Sequence, residues 1–380
     1  MHKVHLFITA TIVSVFLFCS CEKSNLDQTN LRVRKSVTSL TSQEKADFVN
    51  AILKLKSTPS PYDPNYNYYD QFVRWHYLAF FCQNSSAQLG KYSMYPAHMG
   101  PAFLPWHRVY LDLFEKALSD VSGKTITIPY WDWTDPKSES VVFADDFMGG
   151  NGDPSQGYAV TNGPFRKGNF VVTISDELNI DSIVSIFINV NTNPNPVPYL
   201  TRNLGFNKEN RVYLPTENEI LNTLEIPTYD SAPWDSSVDT AKSFRNSLEG
   251  WRGTAGNKCG DNDQMDVINL PSRRSTQHNI VHVYVGGIFP GTDGKFHMGS
   301  MTQNTSPNDP VFWIHHSNID RLWSSWMQRH GEVYLPKQGG PMGTNLNDIM
   351  PPFGFRTDGT NKPSGVLNAA KMGFKYDALK

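Results

Sequence analysis

The segment 98–107, HMGPAFLPWH, begins and ends with a histidine. Proline is tolerated in the first turn of a helix, so Pro105 predicts a helix that begins there and ends at about Ser119. Its inward face carries residues at helical spacing, namely His107, Leu111, Phe114 and Leu118. We expect His98 to lie in the loop before this helix, and His76 to come from a preceding helix at 68–82.

A second group of histidines lies in the last third of the chain, after a stretch from Arg108 to Gln277 that contains none. His278 and His282 are four residues apart, so they project from the same face of a helix predicted at about 276–285. A histidine pair with this spacing is structural at least as often as it binds a metal. It indicates a metal site here only together with the other histidines.

Asp309 caps a further predicted helix, which has Pro310 at its first position and ends near Arg329. His316 lies on the inward face of this helix, and we expect it to complete a metal site with the preceding pair. His315 points about a quarter-turn away. We therefore expect it to contact a ligand and not to bind the metal itself.

The rest of the pattern is that of a mainly α protein with long loops. The capping box Thr41-Ser-Gln-Glu44 predicts a first helix at 42–56. Residues 137–240 are rich in Asn, Pro, Gly, Ser and Asp, and predict loops with a few short strands over a helical core; 331–380 is predicted to be irregular. Asp320 is expected to position a ligand imidazole or to pair with Arg321.

Charge and ligand placement limit the class of protein and its organisation. The chain has 380 residues and a formal net charge of −2, so no basic surface indicates nucleic-acid binding. The histidine groups lie near opposite ends of the sequence, and a shared site forces those ends together. We therefore predict one domain at 37–380.

The first 20 residues have the pattern of an export signal. Lys3 is followed by a largely apolar run from Leu6 to Phe18, which is too short to span a bilayer as a helix. The run resembles a lipoprotein signal, which would make Cys21 an acylated first residue and 21–36 a polar tether. We expect an exported protein, anchored in a bacterial cell envelope; an ordinary cleaved signal is the alternative.

Two cysteines follow the signal region, Cys82 and Cys259. An oxidising compartment permits a disulfide between them, and two free buried thiols are the other interpretation. The sequence leaves both open.

Six neutral imidazoles without a carboxylate among them favour copper over di-iron sites, which rely on Glu and Asp. Zinc also accepts imidazole, but the sequence offers no nucleophile set that would match a hydrolytic zinc site. Two triplets of histidine would hold two metal ions side by side, an arrangement that can bind and activate oxygen.

Two long motifs resemble the copper signatures of the tyrosinase and polyphenol oxidase family. These are 98–108, continuing to Leu111 and Glu115, and Asp309-Pro-Val-Phe-Trp-Ile-His-His316, followed by Asp320. The pair His278 and His282, the segment 129–133 (PYWDW) and the segment 373–376 (GFKY) are also similar to family sequence. The resemblance runs from about Arg34 to Asp377.

The resemblance implies a four-helix bundle that houses a type-3 dicopper centre. His76, His98 and His107 would bind the first copper, and His278, His282 and His316 the second. The implied activity is ortho-hydroxylation of monophenols and oxidation of diphenols to ortho-quinones with molecular oxygen. A catechol oxidase without the hydroxylation step is the close alternative, and an oxygen carrier similar to hemocyanin is a more distant one.

Hydroxylation of a monophenol requires removal of the phenol proton near the copper, which is a general-base task. The resemblance implies that this base is a water held by a Glu and by the Asn that follows the first ligand of the second copper. Glu249 and Asn279 match these positions. The alternative for Glu249 is an ion pair with Arg245 or Arg252.

Overall fold

The computed structural model describes residues 30–80, 95–174, 192–194, 197–205, 211–251 and 277–380. Its helices within these ranges are α1 Ser42–Ser57, α2 Tyr68–Ala79, α3 Phe103–Ser122, α4 Ser138–Val142, α5 Glu217–Leu224, α6 Phe244–Glu249, α7 His278–Gly286 and α8 Val311–His330. The strands are β1 Arg32–Arg34, β2 Gly152–Asp153, β3 Ala159–Val160, β4 Thr192–Pro194, β5 Ile288–Pro290, β6 Phe296–Met298 and β7 Phe374–Tyr376. The prediction of a mainly α fold with a few short strands is confirmed.

The helix ends follow local sequence signals, with corrections at the starts of α3 and α8. α8 begins at Val311, one residue after the predicted Pro310. Thr41 and Glu44 form the predicted capping box, in which each side chain accepts a hydrogen bond from the backbone N–H of the other residue. The predicted start of α3 at Pro105 is wrong, because the helix begins at Phe103. Pro105 is the third helical residue, where its missing N–H still leaves no intrahelical bond unmade.

The core is aromatic and lies between the long helices. α3 packs against α1 and α8, and α7 packs on α8. Trp313 of α8 stacks on Phe114 of α3 with ring centroids 3.5 Å apart. The hydroxyl of Tyr69, on α2, accepts from the Trp313 indole N–H at 3.1 Å and donates to the carbonyl of Pro307. These contacts fix the mutual positions of α2, α3 and α8, on which the histidines lie.

The strands are short and add local links at the edges of the helical core. β1 pairs with β7 in parallel, with Arg32 opposite Phe374. β6 lies between β4, to which it is parallel, and β5, to which it is antiparallel. β2 and β3 form an antiparallel pair.

A buried charge network ties β1 and β7 to the helices. Arg34 donates to Glu115 and to Asp320, at 2.8 and 2.9 Å. Arg108 donates to the other oxygen of Asp320 at 2.5 Å, and the Tyr376 hydroxyl also donates to Asp320. The prediction that Asp320 contacts a ligand imidazole or Arg321 is therefore wrong. The β1–β7 pair brings Arg34 onto this side of α8, which the local sequence around Asp320 does not encode.

Several sequence predictions lie outside the described residues. They concern the signal at 1–20, the acylated Cys21 and the pairing of Cys82 with Cys259. Among the helices that the structure does describe, none is long and apolar enough to cross a membrane.

Candidate metal centre

The first group of histidines forms a compact triplet. His76 comes from α2, His98 from the turns before α3, and His107 from the first half of α3. Each offers one ring nitrogen within 4.8 Å of the others, and all three side chains are buried. Their ring centroids are 4.9 to 5.8 Å apart. The structure thus brings together the three residues predicted for one metal.

The second group is tighter still. The Nε2 atom of His278 lies 3.0 Å from that of His282 and 3.2 Å from that of His316, and His282 and His316 are 3.4 Å apart. Two nitrogens that bind one ion tetrahedrally at about 2.0–2.1 Å are about 3.3 Å apart. Three Nε2 atoms at this spacing can therefore converge on a single ion.

The two groups face each other. The rings of His107 and His316 stack with centroids 4.3 Å apart and planes inclined by 17°. His98 and His278 are also close, at 6.4 Å between ring centroids. The predicted convergence of two distant triplets into adjacent sites is what the structure shows.

Backbone carbonyls orient several of these rings through Nδ1. His76 donates to the carbonyl of Asn304, His107 to that of Phe103 and His282 to that of Met301, each at 2.8 Å. A hydrogen bond at one ring nitrogen fixes the tautomer and leaves the other nitrogen as the acceptor that a metal needs. The Nε2 atoms of His76 and His107 are buried and have no hydrogen-bond partner among the described residues.

Burial keeps these imidazoles neutral. It lowers the pKa of His107 to about 3 and that of His282 to about 4, and it lowers the pKa of His76, His98 and His278 well below the usual value. A metal binds the neutral form of histidine. The donor set, its spacing and its buried unpartnered nitrogens all fit two copper ions.

His315 lies closer to the second group than the sequence predicts. Its ring stacks on that of His278 at 5.1 Å, and one of its nitrogens is within 4.8 Å of the ligand atoms of His278, His282 and His316. The expectation of a quarter-turn separation assumed that the partner helix faces His316 alone. α7 instead lies over the surface between the two side chains, so both rings reach it.

Glu249 links the two groups. It is the last residue of α6, and Gly250 turns the chain away with a positive φ of 92°. Its Oε1 accepts from the backbone N–H of Met99, the residue after His98, at 2.5 Å. Its own carbonyl is 3.3 Å from Nδ1 of His278. The carboxyl group is fully buried, and that burial raises its pKa to about 7 although Arg245 lowers it.

Two further contacts complete this side of the site. Asn279 places its Oδ1 2.8 Å from Nδ1 of His278, where it can accept the ring N–H. Arg245 donates to Oε2 of Glu249 at 3.1 Å and is itself held by the buried Asp230 at 2.9 Å. The ion pair considered as the alternative for Glu249 is therefore present, and it coexists with the contacts near the histidines.

Some supporting groups carry no sequence signal. The groups that orient His76 and His282 are backbone carbonyls, those of Asn304 and Met301, which no side-chain pattern in the sequence marks. Asp230 lies in a loop, 15 residues before the Arg245 that it holds. Its sequence neighbours, Tyr229 and Ser231, do not distinguish it from the other acidic residues of that region.

Comparison with known proteins settles the family. The model of the common central domain of tyrosinase matches residues 66–329. The chain belongs to the tyrosinase family. It is 37% identical to a tyrosinase of Streptomyces glaucescens over 327 residues, which cover 85% of this chain and 93% of that protein. It is also 34% identical to the grixazone synthase of Streptomyces griseus subsp. griseus, over 91% of this chain and 99% of that protein.

A solved structure shows the same fold. A polyphenol oxidase variant from Thermothelomyces thermophila aligns with a TM-score of 0.58 at 22% identity, over 93% of this chain and 90% of that one. This tyrosinase-family protein is accordingly a copper oxidase, and its cofactor is a dinuclear copper centre.

Proposed function

We propose that this copper oxidase is a tyrosinase in the full sense, which ortho-hydroxylates monophenols and oxidises diphenols to ortho-quinones with molecular oxygen. One observation carries the proposal beyond a catechol oxidase. A buried carboxyl group with a pKa of about 7, that of Glu249, contacts the residue after His98 while its own carbonyl contacts His278.

The ligand assignment follows the two groups. The first copper would be held by His76, His98 and His107, and the second by His278, His282 and His316. When bound, the two ions supply the binding and reduction of oxygen. The protein contributes neutral imidazoles whose orientation is fixed before the metal arrives.

Glu249 is proposed to accept the phenol proton through a water molecule. A group with a pKa near the working pH is partly ionised, so it can take up a proton and release it again. A carboxylate has about four acceptor sites, and the bonds from Met99 and Arg245 leave room for a water on the same group. Arg245, anchored by Asp230, prevents the carboxylate from turning away.

Asn279 is proposed to act on the same water and on the second copper's ligand. Its Oδ1 accepts from Nδ1 of His278, so this amide orients the imidazole. Its amide N–H groups are donors that a water oxygen can accept from. Asn279 is partly exposed, as expected of a residue that a solvent-derived water must reach.

The test is the substitution Glu249→Gln, which keeps the side-chain size and removes the base. Copper-loaded protein is assayed with the matched pair 4-methylphenol and 4-methylcatechol. We expect kcat/KM for the monophenol to fall by about a hundredfold, the typical contribution of a general base, while the diphenol value changes little. Equal losses on both substrates would remove the role of Glu249.

The matched control is Glu115→Gln, because Glu115 is also a buried carboxylate paired with arginine, but its ion pairs are with Arg32 and Arg34 and not with any histidine of the two described groups. It should lower stability and leave the ratio of monophenol to diphenol activity unchanged. Copper-loaded wild-type protein that oxidises 4-methylcatechol but never 4-methylphenol would be a catechol oxidase, and the proposal would fail.

We also infer export and a lipid anchor at Cys21. The support is the short apolar run Leu6 to Phe18, which precedes a cysteine. Cys21→Ser is expected to move the protein from the membrane fraction to the soluble fraction of the expressing cells and to abolish labelling with a fatty acid. Membrane association that survives this substitution would contradict the anchor.

A further inference from the structure

The six histidines assigned to copper are oriented in two different ways. Four of them have a hydrogen-bond partner at Nδ1, which is either a backbone carbonyl or the side chain of Asn279. For the other two, His98 and His316, Nδ1 is buried and has no hydrogen-bond partner among the described residues. A bond at the second ring nitrogen is the usual means of fixing a ligand imidazole. A different contact therefore has to fix these two rings.

The same two imidazoles each stack face to face on a phenylalanine. The ring of His98 lies on that of Phe80, with centroids 3.7 Å apart and planes inclined by 23°. The ring of His316 lies on that of Phe312, at 4.0 Å and 26°. Within the described part of the chain, the other contacts between these histidines and phenylalanine rings are edge-on or tilted. Face-to-face stacking on phenylalanine therefore occurs where the Nδ1 bond is absent.

His98 depends on this contact more than His316 does. His316 lies inside the helix α8, whose own hydrogen bonds fix the backbone that carries it, whereas His98 lies in a bend before α3. The torsion that turns a histidine ring about its bond to Cβ has broad minima, so it does not fix the ring plane. The ring of Phe80 covers one face of the His98 imidazole and blocks this rotation.

The helix α2 brings Phe80 to the first group of histidines. Phe80 directly follows the last residue of α2, keeps helical backbone angles, and lies four residues after His76, so both side chains project from one face. The two ring centroids are 5.2 Å apart, with the planes inclined by 63°. A single half-buried phenylalanine thus contacts two of the three histidines of this group.

We propose that Phe80 is a positioning residue for the first copper, because its ring holds the His98 imidazole in the orientation that metal binding requires. A metal ion draws electron density from the imidazole that binds it, so the face of that imidazole becomes more positive. The face of a phenyl ring is negative and attracts positive charge. Stacking on Phe80 therefore favours the metal-bound form of His98. This inference rests on the proposed binding of the first copper by His76, His98 and His107.

The experiment observes copper(II) in the first site alone. His282→Gln removes a ligand of the second site, and the ring of His282 contacts no ring of the first group among the described residues. One equivalent of copper(II) is added to the metal-free full-length variant, and the nitrogen hyperfine coupling is measured by electron paramagnetic resonance. We expect three coupled nitrogens.

Phe80→Leu in this background keeps an apolar side chain and removes the aromatic face. It should show two coupled nitrogens, and its dissociation constant for copper(II) should rise at least about tenfold, the usual effect of losing a group that orients a ligand. Phe80→Tyr keeps the ring and should restore both quantities to those of the parent. If Phe80→Leu does not fold by circular dichroism, Phe80→Met replaces it.

Phe143→Leu in the same background is the matched control. Phe143 is also half-buried and also follows the last residue of a helix, α4. Its ring packs on that of Trp131 at 5.6 Å between centroids, and it contacts no histidine of either group among the described residues. This variant should match the parent in nitrogen number and in copper affinity.

The outcomes separate the two levels of inference. Three coupled nitrogens in Phe80→Leu overturn the proposal even when copper affinity falls, because His98 then reaches the ion without the stacked ring. A tyrosine variant that behaves as the leucine variant does overturns it as well. Fewer than three coupled nitrogens in the His282→Gln parent overturn the ligand assignment of the first site, and the proposed function with it.

Discussion

The Glu249 carboxyl group is subject to opposing influences. Burial raises its pKa to about 7, whereas Arg245 and the N–H of Met99 stabilise the charged form and hold the pKa below what burial alone would give. A carboxyl group can accept a proton only when it is ionised. The fraction of Glu249 able to accept a proton therefore increases as the pH rises through about 7.

The increase in ionised Glu249 with rising pH leads to a prediction for the pH dependence of activity. The ratio of monophenol to diphenol kcat/KM is expected to increase with pH, with a midpoint near 7, because only the monophenol reaction needs the base. In Glu249→Gln the ratio should be low and independent of pH. Steady-state kinetics across the neutral range measure it. Parallel pH profiles for the two substrates in wild-type protein would contradict the prediction.

At the scale of single residues, the sequence predicted the contacts that depend on the spacing of nearby residues. His278 and His282 lie four apart on one helix, so their shared face follows from helix geometry. The neighbours of His315 could not be predicted in this way, because they depend on where α7 crosses α8. The contacts of Asp320 depend in the same way on where β1 lies.

At the scale of elements, the end of α7 depends on two glycines in close contact. A Cβ atom on Gly299 would lie 1.9 Å from the carbonyl oxygen of Gly286. This approach places the turn Ser300–Thr302 against α7, and the Met301 carbonyl in that turn accepts from His282. The glycines therefore set the distance between a candidate ligand and the group that orients it.

Gly299→Ala is expected to destabilise the protein by about 1–3 kcal/mol, the usual cost of overpacking, and to weaken copper retention. Urea denaturation and copper content after dialysis against a chelator measure the two effects. Gly354→Ala is the control, since its Cβ would meet nothing closer than 3.9 Å. Equal behaviour of the two variants would show that the close contact has no role in holding the metal.

Helix identity was predictable from the sequence more reliably than helix ends. The capping box at Thr41 correctly marked the start of α1, because its hydrogen bonds are local. The start of α3 was placed two residues late, because Pro105 is compatible with any position in the first turn. Gln277, with a positive φ of 55°, precedes α7 and gives it no side-chain cap, so tertiary contacts decide that boundary.

At the scale of the whole molecule, the Arg34 network joins the outer strands to α3 and α8. Arg34→Met would leave Glu115 and Asp320 buried with part of their charge uncompensated. We expect a loss of about 3–5 kcal/mol in the free energy of unfolding, measured by urea denaturation. Lys116→Met breaks an exposed pair with Asp120 and should cost less than about 1 kcal/mol. Similar losses in the two variants would contradict this account.

The convergence of the two histidine groups could be predicted because a dinuclear site requires it. The contacts that bring the two groups together could not be predicted from the sequence. The stacking of Trp313 on Phe114, and the pairing of β1 with β7, join segments far apart in sequence. The single domain at 37–380 stays a prediction.

The unequal burial of α7 has a consequence for the access of reactants to the site. His282 and Asn279, three residues apart on one side of the helix, are partly exposed, while the other five histidines of the two triplets, and His315, are buried. Among the described residues of this site, solvent therefore reaches the second group on the side of α7 that carries His282 and Asn279. We expect selectivity among phenols to respond to substitutions around these two exposed positions more than to substitutions beside the buried first triplet.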